Sequence, residues 1–243
     1  MNIKHYAQQI LSLIDLTTLN NNDTDKTITN LCKNAQTNFG NVAAICIFSQ
    51  FIPLAHSQLQ NSGIKLATVV NFPHGMTDLD LTFFETELAV GRGAEEIDIV
   101  LPYHELIDGN TSIAETMLTE VREICDDVIL KVILETGELK TPELIKLASN
   151  IALNSGADFL KTSTGKVQVN ATLDATQVML NTIKEHGGKC GFKAAGGIKT
   201  VSEAITYIEL AKQIMGDDYI DNKTFRIGAS SLINDVVKHL EYT

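Results

Sequence analysis

Lys161 and Lys193 are the residues whose type and spacing point most directly to chemistry. Each ends a short apolar run, in segments 157–161 and 191–193, and the two positions are 32 residues apart. That interval is about one strand-plus-helix unit, so we expect the lysines on neighbouring parallel strands about 4.8 Å apart. Crowding by a like charge lowers the pKa of a lysine and frees an amine that can attack a carbonyl carbon. The pair therefore predicts an enzyme that forms a Schiff base.

Two further charged residues repeat at the same interval. Asp98 and Lys131 precede Lys161 and Lys193, with successive separations of 33, 30 and 32 residues. Burial of an unpaired charge is unfavourable by several kcal/mol, so a purely structural role does not account for four such positions. A structural alternative stays open for Lys131, which could simply pair with Asp98 or Glu135. A single lysine in a strand is more often a surface residue with a buried stem.

Short apolar runs alternate with amphipathic stretches along the chain. The runs are mostly continuous, which is typical of strands buried on both faces, and they cover residues 11–16, 42–47, 64–70, 96–101, 128–134, 159–161, 191–193 and 225–227. Helical patterns cover residues 23–38, 78–92, 112–125, 141–155, 173–185, 202–215 and 230–240.

Eight strands alternating with helices predict an α/β fold, a single (β/α)8 TIM barrel over residues 1–243. A short extra helix before Ile10 would plug or flank this barrel. An open doubly wound sheet is the rival architecture. It usually has fewer strands, and no GxGxxG loop follows the first apolar run.

Polar residues that close the apolar runs are the candidate site residues, because active sites of such barrels lie at the carboxyl ends of the strands. Cys46 is among them, although a small buried thiol is more typical of packing than of nucleophilic chemistry. Loops rich in glycine and serine follow the last three runs, and such loops hold phosphate through backbone N–H groups and a helix N-terminus. The candidates are Asp15, Thr17, Thr18, Cys46, Thr164, Gly165, Lys166, Gly196, Gly197, Gly228, Ser230 and Ser231, with Lys199 close by.

Composition excludes several classes of function. The net charge of −11 argues against nucleic acid or an acidic membrane surface as partner. No apolar stretch reaches the ~18 residues needed to span a bilayer, and the first residues lack the apolar core of a signal peptide, so we expect a cytoplasmic protein. The four cysteines form no CxxC pair, which favours reduced thiols. No histidines have metal-ligand spacing, so no metal site is expected.

The motifs resemble those of the deoxyribose-phosphate aldolases, a family of class I aldolases. The resemblance runs in order along nearly the whole chain, and the motif around Lys161 combined with that at 228–231 is its most specific part. The matching segments are residues 13–19, 42–47, 71–75, 96–100 with 102–103, 130–139, 157–172, 191–197 and 225–232.

The resemblance implies reversible cleavage of 2-deoxy-D-ribose 5-phosphate to D-glyceraldehyde 3-phosphate and acetaldehyde, in deoxyribonucleotide catabolism and without metal or other cofactor. Lys161 would form the Schiff base, Lys193 would lower its pKa and relay protons, and Asp98 would act as acid and base through an ordered water. The substrate pocket would be formed by Asp15, Thr17, Thr18, Cys46 and Lys131, and the glycine- and serine-rich loops would hold the phosphate. The partners would be small phosphorylated aldehydes and sugars, and the protein could form a homodimer.

The chain departs from the family pattern at three places. Residues 193–197 read Lys-Ala-Ala-Gly-Gly where Lys-Pro-Ala-Gly-Gly is common, and Lys199 stands where arginine is frequent. Lysine cannot make the two-pronged contact of arginine. Well-studied members carry a longer C-terminal tail whose terminal tyrosine assists proton transfer, whereas this sequence ends at Glu241-Tyr242-Thr243. Slower deprotonation of the donor aldehyde is the expected consequence.

Two other functions stay open at this point. One is a class I aldolase acting on a different phosphorylated sugar, which would not need a partner such as Lys193 beside its active lysine. The other is a non-catalytic sensor of sugar phosphates, which would keep the glycine- and serine-rich loops but gain nothing from paired lysines.

Overall fold

Eight parallel strands close into a barrel, in a computed structural model that describes residues 3–241. Each strand is hydrogen-bonded to the next in chain order, and the last pairs with the first. This confirms the predicted (β/α)8 TIM barrel. The strands are β1 (Ile14–Thr17), β2 (Ala44–Cys46), β3 (Lys65–Val70), β4 (Glu96–Val100), β5 (Ile129–Ile133), β6 (Phe159–Lys161), β7 (Gly191–Ala195) and β8 (Phe225–Ala229).

Helices connect the strands and pack against one another around the barrel. Within residues 3–241 they are α1 (Ile3–Leu11), α2 (Asp25–Asn34), α3 (Ile52–Gln58), α4 (Leu79–Gly91), α5 (Tyr103–Ile107), α6 (Ser112–Ile124), α7 (Thr136–Leu139), α8 (Pro142–Asn154), α9 (Leu173–Glu185), α10 (Val201–Met215) and α11 (Leu232–Glu241). None of these helices combines the length and the apolar character that crossing a membrane requires.

The N-terminal helix is present and extends further than the sequence indicated. Leu11 was expected to begin the first strand but is the last residue of α1, and β1 begins only at Ile14. Leu11 shares one buried helix face with Ala7 and Ile10, and a short apolar run cannot distinguish such a face from a strand. Helix α1 packs against α10 and α11, so it flanks the barrel.

The region between β1 and β3 departs most from the expected elements. Helix α2 ends at Asn34 because a short hairpin, Gln36–Thr37 paired with Gly40–Asn41, follows it at once. Helix α3, preceded by a single 3-10 turn at Ser49–Phe51, was not predicted at all. It has 7 residues, which is shorter than the two turns or more that an apolar period needs to be recognised.

The aromatic ring of Phe159 packs inside the barrel beside Arg226. Phe159 on β6 is paired in register with Gly191 on β7, and a Cβ atom at position 191 would lie 2.4 Å from the Phe159 ring. A side chain at 191 would therefore displace the ring. The guanidinium of Arg226 lies 5.7 Å from the centre of the same ring, so an arginine from β8 is held inside the barrel by cation–π contact as well as by charge.

Candidate active site

Lys161 and Lys193 lie at paired positions of the adjacent strands β6 and β7. Both side chains point into the barrel, where both amines contact the carboxylate of Asp98 on β4. The distances to Asp98 Oδ2 are 2.7 Å from Lys161 Nζ and 2.8 Å from Lys193 Nζ. The neighbouring arrangement expected from the 32-residue spacing is therefore the one that the fold produces.

Asp98 is the centre of the buried charges. In addition to the two amines on Oδ2, it accepts a hydrogen bond on Oδ1 from Lys131 Nζ at 2.9 Å. Burial alone would raise the pKa of the Asp98 carboxyl, but Lys131, Lys161 and Lys193 outweigh it and hold that pKa well below its usual range. Without substrate, Asp98 is therefore an anion at physiological pH.

Two buried ionic residues of this cluster were not identified from the sequence. Glu96 contacts Lys131 Nζ at 2.5 Å, and Arg226 contacts both Glu96 at 3.0 Å and Asp15 at 2.6 Å. A signal for Glu96 was available, because residues 96 and 98 of one strand must face the same side. Arg226 is likewise a charged residue inside a continuous apolar run. Lys131 pairs with Asp98 and Glu96. Asp98 was one of its two expected partners, and the other, Glu135, is not an ion-pair partner of Lys131 within the described residues.

The pKa values of the two amines at the end of the cluster are shifted in opposite directions. Burial lowers the pKa of Lys161, and the cation of Lys193 lowers it further, against the opposing effect of Asp98. For Lys193, burial also acts to lower the pKa, but Asp15 at 2.5 Å and Asp98 overcome it and raise the pKa above its ordinary value. The sequence argument attributed the lowered pKa of Lys161 to crowding alone, whereas burial is the larger cause.

A pocket of about 310 Å³ opens at the carboxyl ends of the strands. Lys161 lines it and is 3 % exposed. The other predicted residues on its wall are Thr17, Thr18, Thr164, Gly165, Lys166, Gly196, Gly197, Gly228, Ser230 and Ser231, together with Lys199. Residues from β1, β6, β7 and β8 and their loops thus share one cavity, as the strand-end argument expected.

The remaining three candidates lie beneath the pocket. Asp15, Cys46 and Lys131 are fully buried and do not form part of the pocket wall. Burial raises the pKa of the Cys46 thiol to about 11, so this group is not a thiolate at neutral pH and packs as a small apolar side chain. Tyr242 lies outside the described residues.

The glycines of the pocket adopt conformations that other residues rarely take. Gly165, Gly196 and Gly197 have φ angles of 83°, 90° and 88°, which glycine adopts without steric conflict. A Cβ at Gly196 would also lie 2.7 Å from the side chain of Asn170. The backbone can therefore approach a ligand closely here, and Ser230 and Ser231 directly precede the N-terminus of α11, a position that favours anions.

Glu135 is a further residue that sequence reasoning did not place in the site. It follows β5 at a positive φ of 56° and accepts a hydrogen bond of 2.6 Å from the Thr164 hydroxyl. It thereby ties the end of β5 to the loop after β6. On the other side of that loop, Lys166 Nζ donates to the carbonyl of Leu19 at 2.7 Å, so the loop is held at both ends.

Within the described part of the chain, no three His, Cys, Asp or Glu side chains form a set that could hold a metal ion. The carboxylates of the cluster are directed at amines and a guanidinium. The arrangement can present to a pocket one amine whose pKa is lowered, with a carboxylate and further basic groups buried beneath it.

The chain is a (β/α)8 barrel with a pocket at the carboxyl ends of its strands and a cluster of buried charged side chains beneath it. The family model of the DeoC/LacD family aldolases matches residues 9–238. The chain belongs to this family of aldolases, and the finding confirms the resemblance noted from the motifs.

Solved structures agree with this assignment. A protein described as a "putative deoxyribose-phosphate aldolase" from Coccidioides immitis is 27% identical, with a TM-score of 0.85, and the match covers 95% of this chain and 87% of that one. A protein described in the same words from Toxoplasma gondii ME49 is 25% identical, with a TM-score of 0.90 over 99% and 98% of the two chains. An aldolase called QR15 is 28% identical, with a TM-score of 0.82 over 96% and 99%.

Proposed function

We propose that the protein reversibly cleaves 2-deoxy-D-ribose 5-phosphate to D-glyceraldehyde 3-phosphate and acetaldehyde through a Schiff base on Lys161. The observation that carries this proposal is that Lys161, alone among the buried charged residues around Asp98, also lines the pocket. Lys161 is therefore in reach of a ligand in the pocket, and the pKa of its amine is lowered. An amine of this kind is the nucleophile that carbonyl chemistry requires.

The first step is addition of the neutral Lys161 amine to the C1 carbonyl of the open-chain sugar. Protonation of the carbinolamine hydroxyl, by a proton relayed from solvent, and loss of that group as water give a protonated imine, which is a cation where a neutral amine stood before. Asp98 Oδ2, 2.7 Å from Nζ, stabilises that developing charge. An ionised carboxylate in place before the reaction needs no reorganisation to do so.

The second step breaks the bond between C2 and C3, because acetaldehyde takes C1 and C2. The C3 hydroxyl loses its proton, C3 becomes a carbonyl carbon, and the electrons of the broken bond flow into the iminium to form an enamine. Asp98 receives the proton through water. Protonation of the enamine at C2 and hydrolysis of the imine then release acetaldehyde and restore Lys161.

The far end of the pocket suits the phosphate of the substrate. Positive-φ glycines, the residues preceding α11, and the ammonium groups of Lys166 and Lys199 line this end. These groups supply the backbone N–H donors and positive charge that a phosphate binds. We propose small phosphorylated sugars and aldehydes as substrates on this ground, despite the net charge of −11 of the whole chain.

The test is mass spectrometry of the protein after incubation with acetaldehyde and borohydride. The aldolase gains an ethyl group on Lys161, found by peptide mapping. Omission of either reagent is the control for adventitious modification. Absence of the adduct, with Lys161 unmodified under conditions that ethylate exposed lysines, would reject the Schiff base and favour a non-catalytic sensor.

The substrate needs its own measurement, because the family description names no sugar. Cleavage should be measured with 2-deoxy-D-ribose 5-phosphate beside a panel of phosphorylated aldoses and ketoses at equal concentration. The proposal requires the highest kcat/KM for 2-deoxy-D-ribose 5-phosphate. A higher value for another sugar phosphate would keep the mechanism and reassign the substrate.

A further inference from the structure

Seven charged side chains form one continuous cluster inside the barrel. Each contacts an oppositely charged partner at 3.0 Å or less, and all are buried. The members are the carboxylates Asp15, Glu96 and Asp98 and the basic residues Lys131, Lys161, Lys193 and Arg226. With every group ionised, three negative charges face four positive ones, which leaves an excess of one positive charge.

An excess charge in a buried site is unfavourable by several kcal/mol, and the loss of one proton removes it. The contacts decide which group loses the proton. Lys131 touches Glu96 and Asp98, Lys193 touches Asp15 and Asp98, and Arg226 touches Asp15 and Glu96.

Lys161 differs from the other three basic residues in this respect. Its one ion-pair partner among the described residues is Asp98, which it shares with Lys131 and Lys193. It is therefore the basic group of the cluster with the least compensation for its charge, and the one whose deprotonation disturbs the fewest contacts.

We propose that Glu96 and Arg226 are positioning residues for the reaction, which set the charge balance of the cluster and thereby the ease with which Lys161 loses its proton: the anion of Glu96 opposes the loss and the cation of Arg226 favours it. They act through Lys131 and Asp15, since neither Glu96 nor Arg226 lines the pocket. The inference rests on the proposed function, because it concerns the lysine assigned there as the nucleophile. The lowered pKa of Lys161 and the raised pKa of Lys193 agree with it.

The groups that face Lys161 come from four parts of the barrel. They are Asp98 from β4, Lys193 from β7, Cys46 from β2, and Glu135 beyond the end of β5. The Cys46 thiol, with its pKa of about 11, is uncharged at neutral pH. Glu135 is engaged by Thr164 and is not an ion-pair partner of Lys161 within the described residues. Asp98 and Lys193, both members of the cluster, therefore dominate the charge near Lys161.

Removal of one anion and removal of one cation should have opposite effects. Glu96→Gln leaves two carboxylates against four basic groups, so the amine at 161 loses its proton more easily. Arg226→Gln leaves three carboxylates against three basic groups, so the cluster is electrically neutral when Lys161 is protonated. A unit charge at this depth should shift the titration by about one pH unit in each direction. The double variant Glu96→Gln, Arg226→Gln should titrate like the wild type.

The experiment is the pH dependence of the initial rate at which acetaldehyde and cyanoborohydride ethylate Lys161, followed by mass spectrometry. The rate reports the fraction of neutral amine, so it rises with pH as Lys161 loses its proton. This rise, the acid limb of the profile, should move to lower pH in Glu96→Gln and to higher pH in Arg226→Gln. Glu96→Asp and Arg226→Lys, which conserve charge, are the controls and should leave the limb in place. An acid limb that does not shift in either single variant, or that shifts in the same direction in both, would overturn the inference. Glu96 and Arg226 would then have only a structural role.

The outcomes separate this inference from the proposed function. If the wild type gains no ethyl group on Lys161, the proposed function fails. If the adduct forms and the limbs do not move in opposite directions, the charge-balance inference alone fails.

A second measurement keeps the inference testable where a variant does not fold. Nitrogen NMR of the wild type labelled with 15N at the lysine side chains distinguishes neutral amines from ammonium groups. At neutral pH we expect one neutral amine among the three buried lysines, assigned to Lys161 by its disappearance in Lys161→Met. Three ammonium signals, or a neutral amine at Lys131 or Lys193, would contradict the charge balance.

Discussion

Lys161 and Lys193, one strand apart, direct their amines at the same oxygen, Oδ2 of Asp98, at 2.7 and 2.8 Å. One carboxylate oxygen cannot compensate two full ammonium charges in a buried site. Lys193 has a second carboxylate, Asp15, at 2.5 Å, and Lys161 does not share it. On our proposal, this unequal supply of carboxylates keeps Lys193 a cation and makes Lys161 the amine that reacts.

The activity should depend on pH through Lys161. Because catalysis needs the neutral amine and the pKa of Lys161 lies below its ordinary value of 10.5, kcat/KM should rise with pH and level off before pH 10.5. The measurement is a profile of kcat/KM, which reports the ionisations of the free enzyme. A profile still rising beyond the ordinary lysine value would show that the amine at 161 titrates as a free lysine.

Replacement of the neighbouring cation tests the cause of that shift. Lys193→Met removes the like charge but leaves Lys161 buried, so the acid limb of kcat/KM should move to higher pH. Lys189→Met, at an exposed lysine near β7, is the matched control and should not move the limb. An unchanged limb in Lys193→Met would mean that burial alone sets the pKa of Lys161.

Lys161→Met should abolish turnover to the background rate, since no other amine of the cluster reaches the pocket. The methionine keeps the length of the side chain and replaces an amine that is neutral on our proposal, so the charge balance of the cluster and the fold should survive. Lys146→Met, at a surface lysine paired with Glu185, is the control and should keep wild-type kcat and KM. Substantial cleavage by Lys161→Met, in protein that melts normally, would contradict the assignment of the nucleophile.

Asp98→Asn should lower kcat by about 10²–10⁴-fold, the usual range for loss of general acid–base assistance. It should also destabilise the protein by about 3–5 kcal/mol, since three buried lysines lose their common counter-ion. Urea unfolding measures the second effect, and kcat at a temperature well below the melting transition measures the first. Asp158→Asn, which breaks a partly exposed ion pair with Arg122, should change stability by at most about 1 kcal/mol and leave kcat unaltered.

The phosphate end of the pocket can be tested by comparing two substrates. Lys199→Met should lower kcat/KM for 2-deoxy-D-ribose 5-phosphate by about tenfold, the loss of one charged hydrogen bond. Activity on unphosphorylated 2-deoxy-D-ribose should not change, because the removed charge faces only the phosphate. Equal losses on the two sugars would show that Lys199 does not bind the phosphate.

The sequence was sufficient for the eight strands, because strands buried on both faces are continuous apolar runs, and helical patterns separate most of these runs. It was insufficient at α3, whose 7 residues are too few to show a period, and at Leu11, whose apolar run belongs to a helix. These errors lie where local pattern is short and tertiary packing decides the conformation. They leave the strand order, and hence the position of the site, unaffected.

The sequence alone established that Asp98, Lys131, Lys161 and Lys193 are separated by about one repeating unit each. A repeating unit places equivalent residues at the same level of a closed barrel, so these four side chains could be expected to meet. Only the tertiary structure decided the pairing. It brought Glu96 and Arg226 into the cluster, placed Asp15 against Lys193, and left Lys161 with one shared carboxylate at the wall of the pocket. Which ammonium loses its proton depends on distances between strands that are far apart in the chain, and spacing along the chain does not contain those distances.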